Sequence, residues 1–163
     1  HERVPARRVV IRVGLFLTAF TLCAGYAFKA GGKPERVAMM AQLIALLLSS
    51  SVAFWRDSGV FATLIRGWLM IDLTLLLVLI LVALRANRIW TIVLAGLQLA
   101  AIFAHLSKTL YPGLSPLGYA VFVQIWAWPM LIATALGVRN HRRRVAISGK
   151  EADWRPLTFS GPA

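Results

Sequence analysis

Long uncharged runs separated by basic residues constrain this chain more than any other feature. Between Arg36 and Arg56 lie 19 uncharged residues, and a run of the same length separates Arg88 from Lys108. A third run is interrupted only by Asp72. An α-helix needs about 20 mainly apolar residues to cross the roughly 30 Å hydrocarbon core of a bilayer. These runs therefore predict membrane-spanning helices.

Two more segments complete the predicted set of helices. Residues Val13 to Phe28 carry no charge, and Arg12 just before them can extend its guanidinium back to the headgroups. Another apolar run, from Leu117 to Val138, precedes a cluster of arginines. We predict an all-α fold, a polytopic transmembrane bundle of five hydrophobic helices over residues 9–28, 37–55, 67–84, 89–107 and 117–138. The chain then divides into a transmembrane part, 1–138, and a polybasic juxtamembrane tail, 139–163.

Composition separates a membrane protein from the other common basic class, the nucleic-acid binder. The chain of 163 residues is 59% apolar and 15% charged, whereas an ordinary soluble domain is about 45–50% apolar and about 25% charged. Its 18 Lys and Arg against 6 Asp and Glu give a net charge of +12. Because nearly all of this charge lies between apolar runs or after the last one, we interpret it as a topology signal. We predict no nucleic-acid partner.

The positive charges also predict an orientation. If the first segment does not span, 15 Lys and Arg lie on one side of the membrane and three on the other. If it does span, the split is 11 to seven. Hydropathy thus favours five spans, whereas charge favours four. The positive-inside rule predicts a multi-pass protein of the bacterial inner membrane with a cytoplasmic C-terminus.

Asp72 is the one acid inside an apolar run, and other polar residues are predicted at its depth. An ionised carboxylate in lipid is costly unless it is paired or hydrated, so Asp72 should face protein. His105 lies in the last turn of the fourth helix, with Gln98 seven residues earlier on nearly the same face. Gln124 in the fifth helix and Ser50 in the second lie in the same half of the bilayer. We predict that these side chains converge.

Three interpretations of this polar cluster stay open. It is a hydrogen-bond cluster that fixes helix register, a proton relay or ligand site, or a pigment or haem site with His105 as a ligand. A haem site usually needs a second histidine at matched depth, and His1 and His141 lie outside the predicted spans. We predict no obligatory cofactor and leave bound lipid or pigment open. A single cysteine and the lack of zinc, phosphate-loop or nucleophile motifs predict no metal site and no catalytic residue.

Small residues at four-residue spacing mark faces that suit close helix packing. They are Gly96, Ala100 and Ala104 in the fourth helix, and Ala133 and Gly137 in the fifth. Such rows serve packing inside this bundle or docking onto a partner helix. Internal packing is favoured, because five helices must first pack on one another.

The tail begins with a polybasic cluster directly after the last apolar run. Arg142, Arg143 and Arg144 are predicted to contact anionic lipid headgroups, with about 1 kcal/mol of attraction for each charge. Trp154 and Phe159 further along are predicted anchors for lipid or for a partner subunit.

Several stretches together resemble a group of small multi-pass inner-membrane proteins of proteobacterial type. The resemblance covers about residues 25–145 and includes Asp72, Gln98 and His105. It also includes three sequence stretches, GKPER at 32–36, LRANRIW at 84–90 and GVRNHR at 137–142. The resemblance implies an inner-membrane location. Because the group has no established activity, it carries no functional residue over to this chain.

The lack of catalytic motifs, together with the small-residue rows and the tail anchors, predicts a non-catalytic accessory subunit. Its partners would be other membrane proteins of a larger respiratory, photosynthetic or transport assembly. The alternative is a small proton-coupled transporter or channel that uses Asp72 and His105. A membrane enzyme is disfavoured, because the sequence shows no nucleophile–base pair.

Overall fold

A computed structural model describes residues 6–54, 61–110, 125–149 and 154. These residues form an all-α bundle, as predicted. Its five helices are α1 (Ala6–Ala30), α2 (Lys33–Phe54), α3 (Phe61–Ala86), α4 (Ile89–Leu110) and α5 (Ala127–Ser148).

Four of these helices are long and apolar enough to cross a membrane. The first segment, for which charge and hydropathy disagreed, is one of them. The qualifying stretches are Val10–Ala30, Lys33–Val52, Gly67–Ala86 and Ile89–Leu106. In α5 the arginines from Arg139 onward occupy the second half of the helix. The beginning of its predicted apolar run, residues 117–124, lies outside the described part of the chain.

Two tight turns connect the described helices, and local chemistry explains both. A Cβ at Gly31 would lie 2.6 Å from the carbonyl oxygen of Ala27, so only glycine fits the end of α1. Pro34 then occupies the first turn of α2, where its missing N–H breaks no helical bond. Asn87 between α3 and α4 has φ of 48°, in the left-handed region that asparagine tolerates better than most residues.

The contacts between helices show which helices are neighbours in the bundle. The helices pack in pairs as α2 with α3, α3 with α4, α4 with α5 and α5 with α1, and α2 also contacts α1 and α5. The side on which α1 and α3 end, α2 and α4 begin and α5 carries Arg139–Arg144 is called the basic end below. The side on which α2 and α4 finish and α3 begins is called the opposite end.

Two apolar clusters fill the interior. One joins α2, α3, α4 and α5 through Ala38, Leu75, Leu79, Trp90, Leu94, Met130 and Ala133. The other joins α1, α2 and α5 through Phe20, Cys23, Ala27, Met39, Leu131 and Val138. Large apolar side chains such as Leu22, Leu77 and Ile92 are exposed on the outside. In a membrane these side chains face lipid, where their exposure carries no hydration cost.

Candidate functional site

Asp72 and His105 form a hydrogen-bonded pair between α3 and α4 near the opposite end. Nε2 of His105 lies 2.9 Å from Oδ2 of Asp72. The side chain of His105 is 6% exposed and that of Asp72 is 19% exposed. The imidazole is therefore enclosed by the bundle, whereas the carboxylate reaches its surface.

Gln98 holds the other side of the same carboxylate. Its Nε2 donates to Oδ1 of Asp72 at 3.0 Å and lies 3.3 Å from the backbone carbonyl oxygen of Asp72. Gln98 is buried and lies two turns before His105 on α4. Each carboxylate oxygen thus has its own partner, Oδ1 with Gln98 and Oδ2 with His105.

The interior face of α4 carries three buried polar residues at seven-residue intervals. These are Thr91, Gln98 and His105, and all three are buried. Seven residues are nearly two helical turns, so the three side chains follow one face over about 21 Å. We call these residues the α4 polar row. It extends from the turn at the basic end to the Asp72–His105 pair.

A buried ion pair lies at the basic end of the α4 polar row. Nη1 of Arg88 donates to Oε1 of Glu35 at 2.6 Å, and the two side chains are 7% and 0% exposed. Thr91 follows one turn later and donates its hydroxyl to the carbonyl oxygen of Arg88. This pair is not among the residues predicted from the sequence, because Arg88 is typical of a topology signal and Glu35 is a residue favoured at a helix start. The one sequence feature that could have indicated the pair is that Glu35 and Arg88 each lie at one of the two tight turns.

A second polar contact crosses the bundle between α2 and α5. Gln42, one heptad after Glu35, donates through Nε2 to the hydroxyl oxygen of Thr134 at 3.0 Å. Thr134 in turn donates to the carbonyl oxygen of Met130. Both side chains are buried. Neither residue is among those predicted from the sequence.

One member of the predicted polar cluster, Ser50, is not brought to Asp72. Ser50 is exposed, and its hydroxyl donates to the carbonyl oxygen of Leu46 on its own helix. Serine in a helix commonly satisfies its hydroxyl in this way, which removes the need for an interhelical partner. Gln124 lies outside the described residues. Of the five predicted side chains, the structure therefore assembles Asp72, Gln98 and His105.

The predicted packing residues divide into an inner and an outer group. Ala104, Ala133 and Gly137 are buried, and Ala100 is half-buried. Gly96 is exposed, and a Cβ added there would meet nothing within 4 Å. The expectation of internal packing does not hold at Gly96. Residues four apart on a helix are rotated by about 40°, so a row at this spacing turns away from the core.

The basic cluster of the tail continues the last helix. Arg142 and Arg143 are exposed on α5, and Arg144 and Trp154 are half-buried. Phe159 lies outside the described residues. The helix carries the basic side chains directly beyond the apolar part of α5, where lipid headgroups would lie.

Few side chains that could bind a metal lie near His105 among the described residues. No group of three or more His, Cys, Asp or Glu residues converges within the described ranges. Nε2 of His105 is engaged by Asp72, so a ligand bond through that atom would require the pair to break. The prediction that no cofactor is needed stays a prediction.

Comparison with known proteins adds no functional assignment. No protein-family model matches the chain, and neither the curated proteins nor the solved structures give a match. The resemblance to small inner-membrane proteins therefore stays a prediction.

Proposed function

We propose that this protein is a small proton-coupled transporter or channel in which Asp72 and His105 share the transferred proton. The observation that carries the proposal is the Nε2–Oδ2 contact of 2.9 Å at the end of the buried α4 polar row. Ionisable residues inside a membrane span are expensive, and paired Asp and His residues are typical of proton pathways. A role in helix register alone would be served by neutral hydrogen-bonding residues.

Charge and exposure define what the pair can do chemically. When Nδ1 of His105 also carries a proton, a proton on Nε2 and a charged carboxylate form an ion pair, whereas transfer of that proton to Oδ2 leaves both groups neutral. The interconversion moves one proton across a hydrogen bond and changes no net charge. The partly exposed carboxylate supplies the point of exchange with the outside, and the enclosed imidazole supplies the inner point.

The α4 polar row gives the proton a path along the bundle axis, between the Asp72–His105 pair and the basic end. Its members are about 10 Å apart along the axis, which is longer than one hydrogen bond. Transfer between them therefore requires water molecules or a movement of the helices. The Glu35–Arg88 pair at the far end provides a fixed charged boundary.

We place the protein in a bacterial inner membrane with its C-terminus in the cytoplasm. With four spanning helices and α5 continuing the alternation, nine of the 14 Lys and Arg among the described residues lie at the basic end. Cytoplasmic flanks of membrane helices are enriched in these residues.

The first experiment asks whether the purified protein moves protons. Vesicles containing the protein and a trapped pH-sensitive dye are given an inward proton gradient, with the membrane potential clamped by potassium and valinomycin. We expect the interior to acidify faster than in vesicles without protein. Equal rates at a range of protein densities would contradict the proposal.

A second candidate, an accessory subunit of a larger membrane assembly, is favoured by the outer face of α4. Gly96 leaves open space there, and the exposed side chains of Ile92, Leu99 and Phe103 surround it on the same helical face. A glycine among large side chains lets a second helix approach closely.

Purification from native membranes in mild detergent tests the accessory role. We expect partner proteins to co-purify with the native chain and with the variant Gly14→Leu. Gly14 is the matched control, because it is also an exposed helical glycine with nothing near its Cβ position. Gly96→Leu should lose the partners. Free protein alone in all three preparations would exclude this candidate.

A further inference from the structure

An open groove of about 690 Å³ runs between α1 and α5 at the basic end. Thr21, Leu22, Gly25, Tyr26 and Lys29 line it from α1, and Arg142 lines it from α5. The lining from Thr21 to Lys29 covers eight residue steps, or about 12 Å along the helix. The groove therefore extends from the end of an apolar span into the basic region.

The apolar part of this groove has a shape that a flexible chain can occupy. A Cβ added at Gly25 would meet nothing within 4 Å, so the missing side chain leaves a depression in the surface of α1. Leu22 is exposed beside it. The hydroxyl of Thr21 donates to the carbonyl oxygen of Leu17, so it is already satisfied within the helix. This wall therefore presents mainly apolar contact.

The charged part of the groove is cationic and is not neutralised by the described carboxylates. Lys29 and Arg142 are both exposed. The described residues include two acids, and each has a partner elsewhere. Glu35 is bonded to Arg88, and Asp72 to His105. Tyr26 adds a phenol hydroxyl to the same end of the groove.

We propose that this groove binds one anionic phospholipid, with its phosphate between Lys29 and Arg142 and an acyl chain over Gly25 and Leu22. Lys29 lies in the last turn of a spanning helix, at the level of lipid headgroups. The cationic end of the groove suits the phosphate of a phospholipid, and the apolar part next to it suits an acyl chain. A free phosphate would leave the apolar part empty.

Native mass spectrometry of the detergent-purified protein, titrated with phosphatidylglycerol or phosphatidylcholine, tests the proposal. We expect a one-to-one complex that favours phosphatidylglycerol. The double variant Lys29→Gln/Arg142→Gln should weaken that complex by about 25-fold, from about fivefold for each basic residue near anionic lipid. Gly25→Leu should also weaken it, because the new side chain fills the groove while every charge is kept.

The matched control removes the same charge outside the groove. Arg85 and Arg139 are exposed at the same end of the bundle and do not line the groove. Arg85→Gln/Arg139→Gln should therefore keep the native preference. An equal loss in this control would overturn the proposal by showing that lipid is attracted only by overall charge. Unchanged binding in Gly25→Leu would also overturn it.

Discussion

Arg88 and Glu35 form a buried ion pair with 2.6 Å between Nη1 and Oε1, although 52 residues separate them in sequence. Glu35 lies in the first turn of α2, and Arg88 lies in the turn between α3 and α4. The pair therefore ties together two of the tight turns at the basic end. The second carboxylate oxygen of Glu35 has no hydrogen-bond partner among the described residues.

Removal of one partner of this pair should destabilise the protein strongly. Glu35→Gln removes the carboxylate charge that lies 2.6 Å from Nη1 of the buried Arg88, and breaking a buried ion pair in this way costs about 3–5 kcal/mol. Loss of the negative charge at the N-terminus of α2 adds a smaller cost. Thermal or denaturant unfolding in detergent micelles measures the change in the free energy of unfolding.

Two further variants isolate the contribution of the pair. Arg85→Gln, on an exposed residue beside the same turn, should change stability by less than about 0.5 kcal/mol. The double variant Glu35→Leu/Arg88→Met should recover most of the loss, because it replaces both charges of the pair with apolar side chains of similar size. A loss in the double variant as large as in Glu35→Gln would show that the pair does not account for the effect.

Gly137 should not tolerate even one added methyl group. A Cβ there would lie 2.7 Å from Cδ2 of Trp90, whose ring is buried in the core. Gly137→Ala should therefore cost about 1–3 kcal/mol through overpacking. Gly96→Ala, at an exposed helical position with open space, should be neutral or stabilise by up to about 1 kcal/mol. Equal melting temperatures for the two variants would refute this account of α4–α5 packing.

Thr134 should contribute through its hydrogen bond with Gln42. Thr134→Val keeps the shape and removes the acceptor 3.0 Å from Nε2 of Gln42, so we expect a loss of about 0.5–1.7 kcal/mol. The control Thr18→Val removes an exposed hydroxyl that bonds only to its own helix. Its stability should stay near that of the native protein. A double-mutant cycle with Gln42→Leu gives the coupling energy of the pair and should be close to zero if the contact is absent in the membrane.

The helices and part of the site could be predicted from sequence patterns, because both depend on rules that apply within a single segment of the chain. A run of about 20 uncharged residues predicts a spanning helix without knowledge of its neighbours. Likewise, Asp72 and His105 were predicted to meet because both lie at the same depth of antiparallel helices.

Contacts that depend on helix rotation were not accessible from the sequence in this way. Ser50 was predicted to lie near Asp72 only because the two residues lie at a similar depth in the membrane. In the structure, the rotation of α2 directs the Ser50 hydroxyl to the carbonyl oxygen of Leu46 on the same helix. The packing of Trp90 on Gly137 depends on how α4 and α5 approach each other. Spacing also could not distinguish the outward Gly96 from the buried Ala104.

Gln98 should tune proton transfer without being essential for it. In Gln98→Leu, Oδ1 of Asp72 loses its donor while the contact between Oδ2 and His105 is kept. Without this hydrogen bond the carboxylate is held less firmly against Nε2 of His105, so proton flux in vesicles should fall without being abolished. Flux that is unchanged in this variant would show that the amide plays no part in transfer.

Proton flux through Asp72→Asn is the most direct measurement of the proposed function. The asparagine keeps the size of the side chain and can still accept from Gln98, but it cannot take up the shared proton. Thr74→Val on the same helix is the control, because its exposed hydroxyl bonds to the carbonyl oxygen of Met70. We predict that Asp72→Asn folds and inserts but reduces the dye-detected flux to that of empty vesicles, while Thr74→Val keeps the native rate. A native rate in Asp72→Asn would contradict the assignment of the Asp72–His105 pair as the proton site.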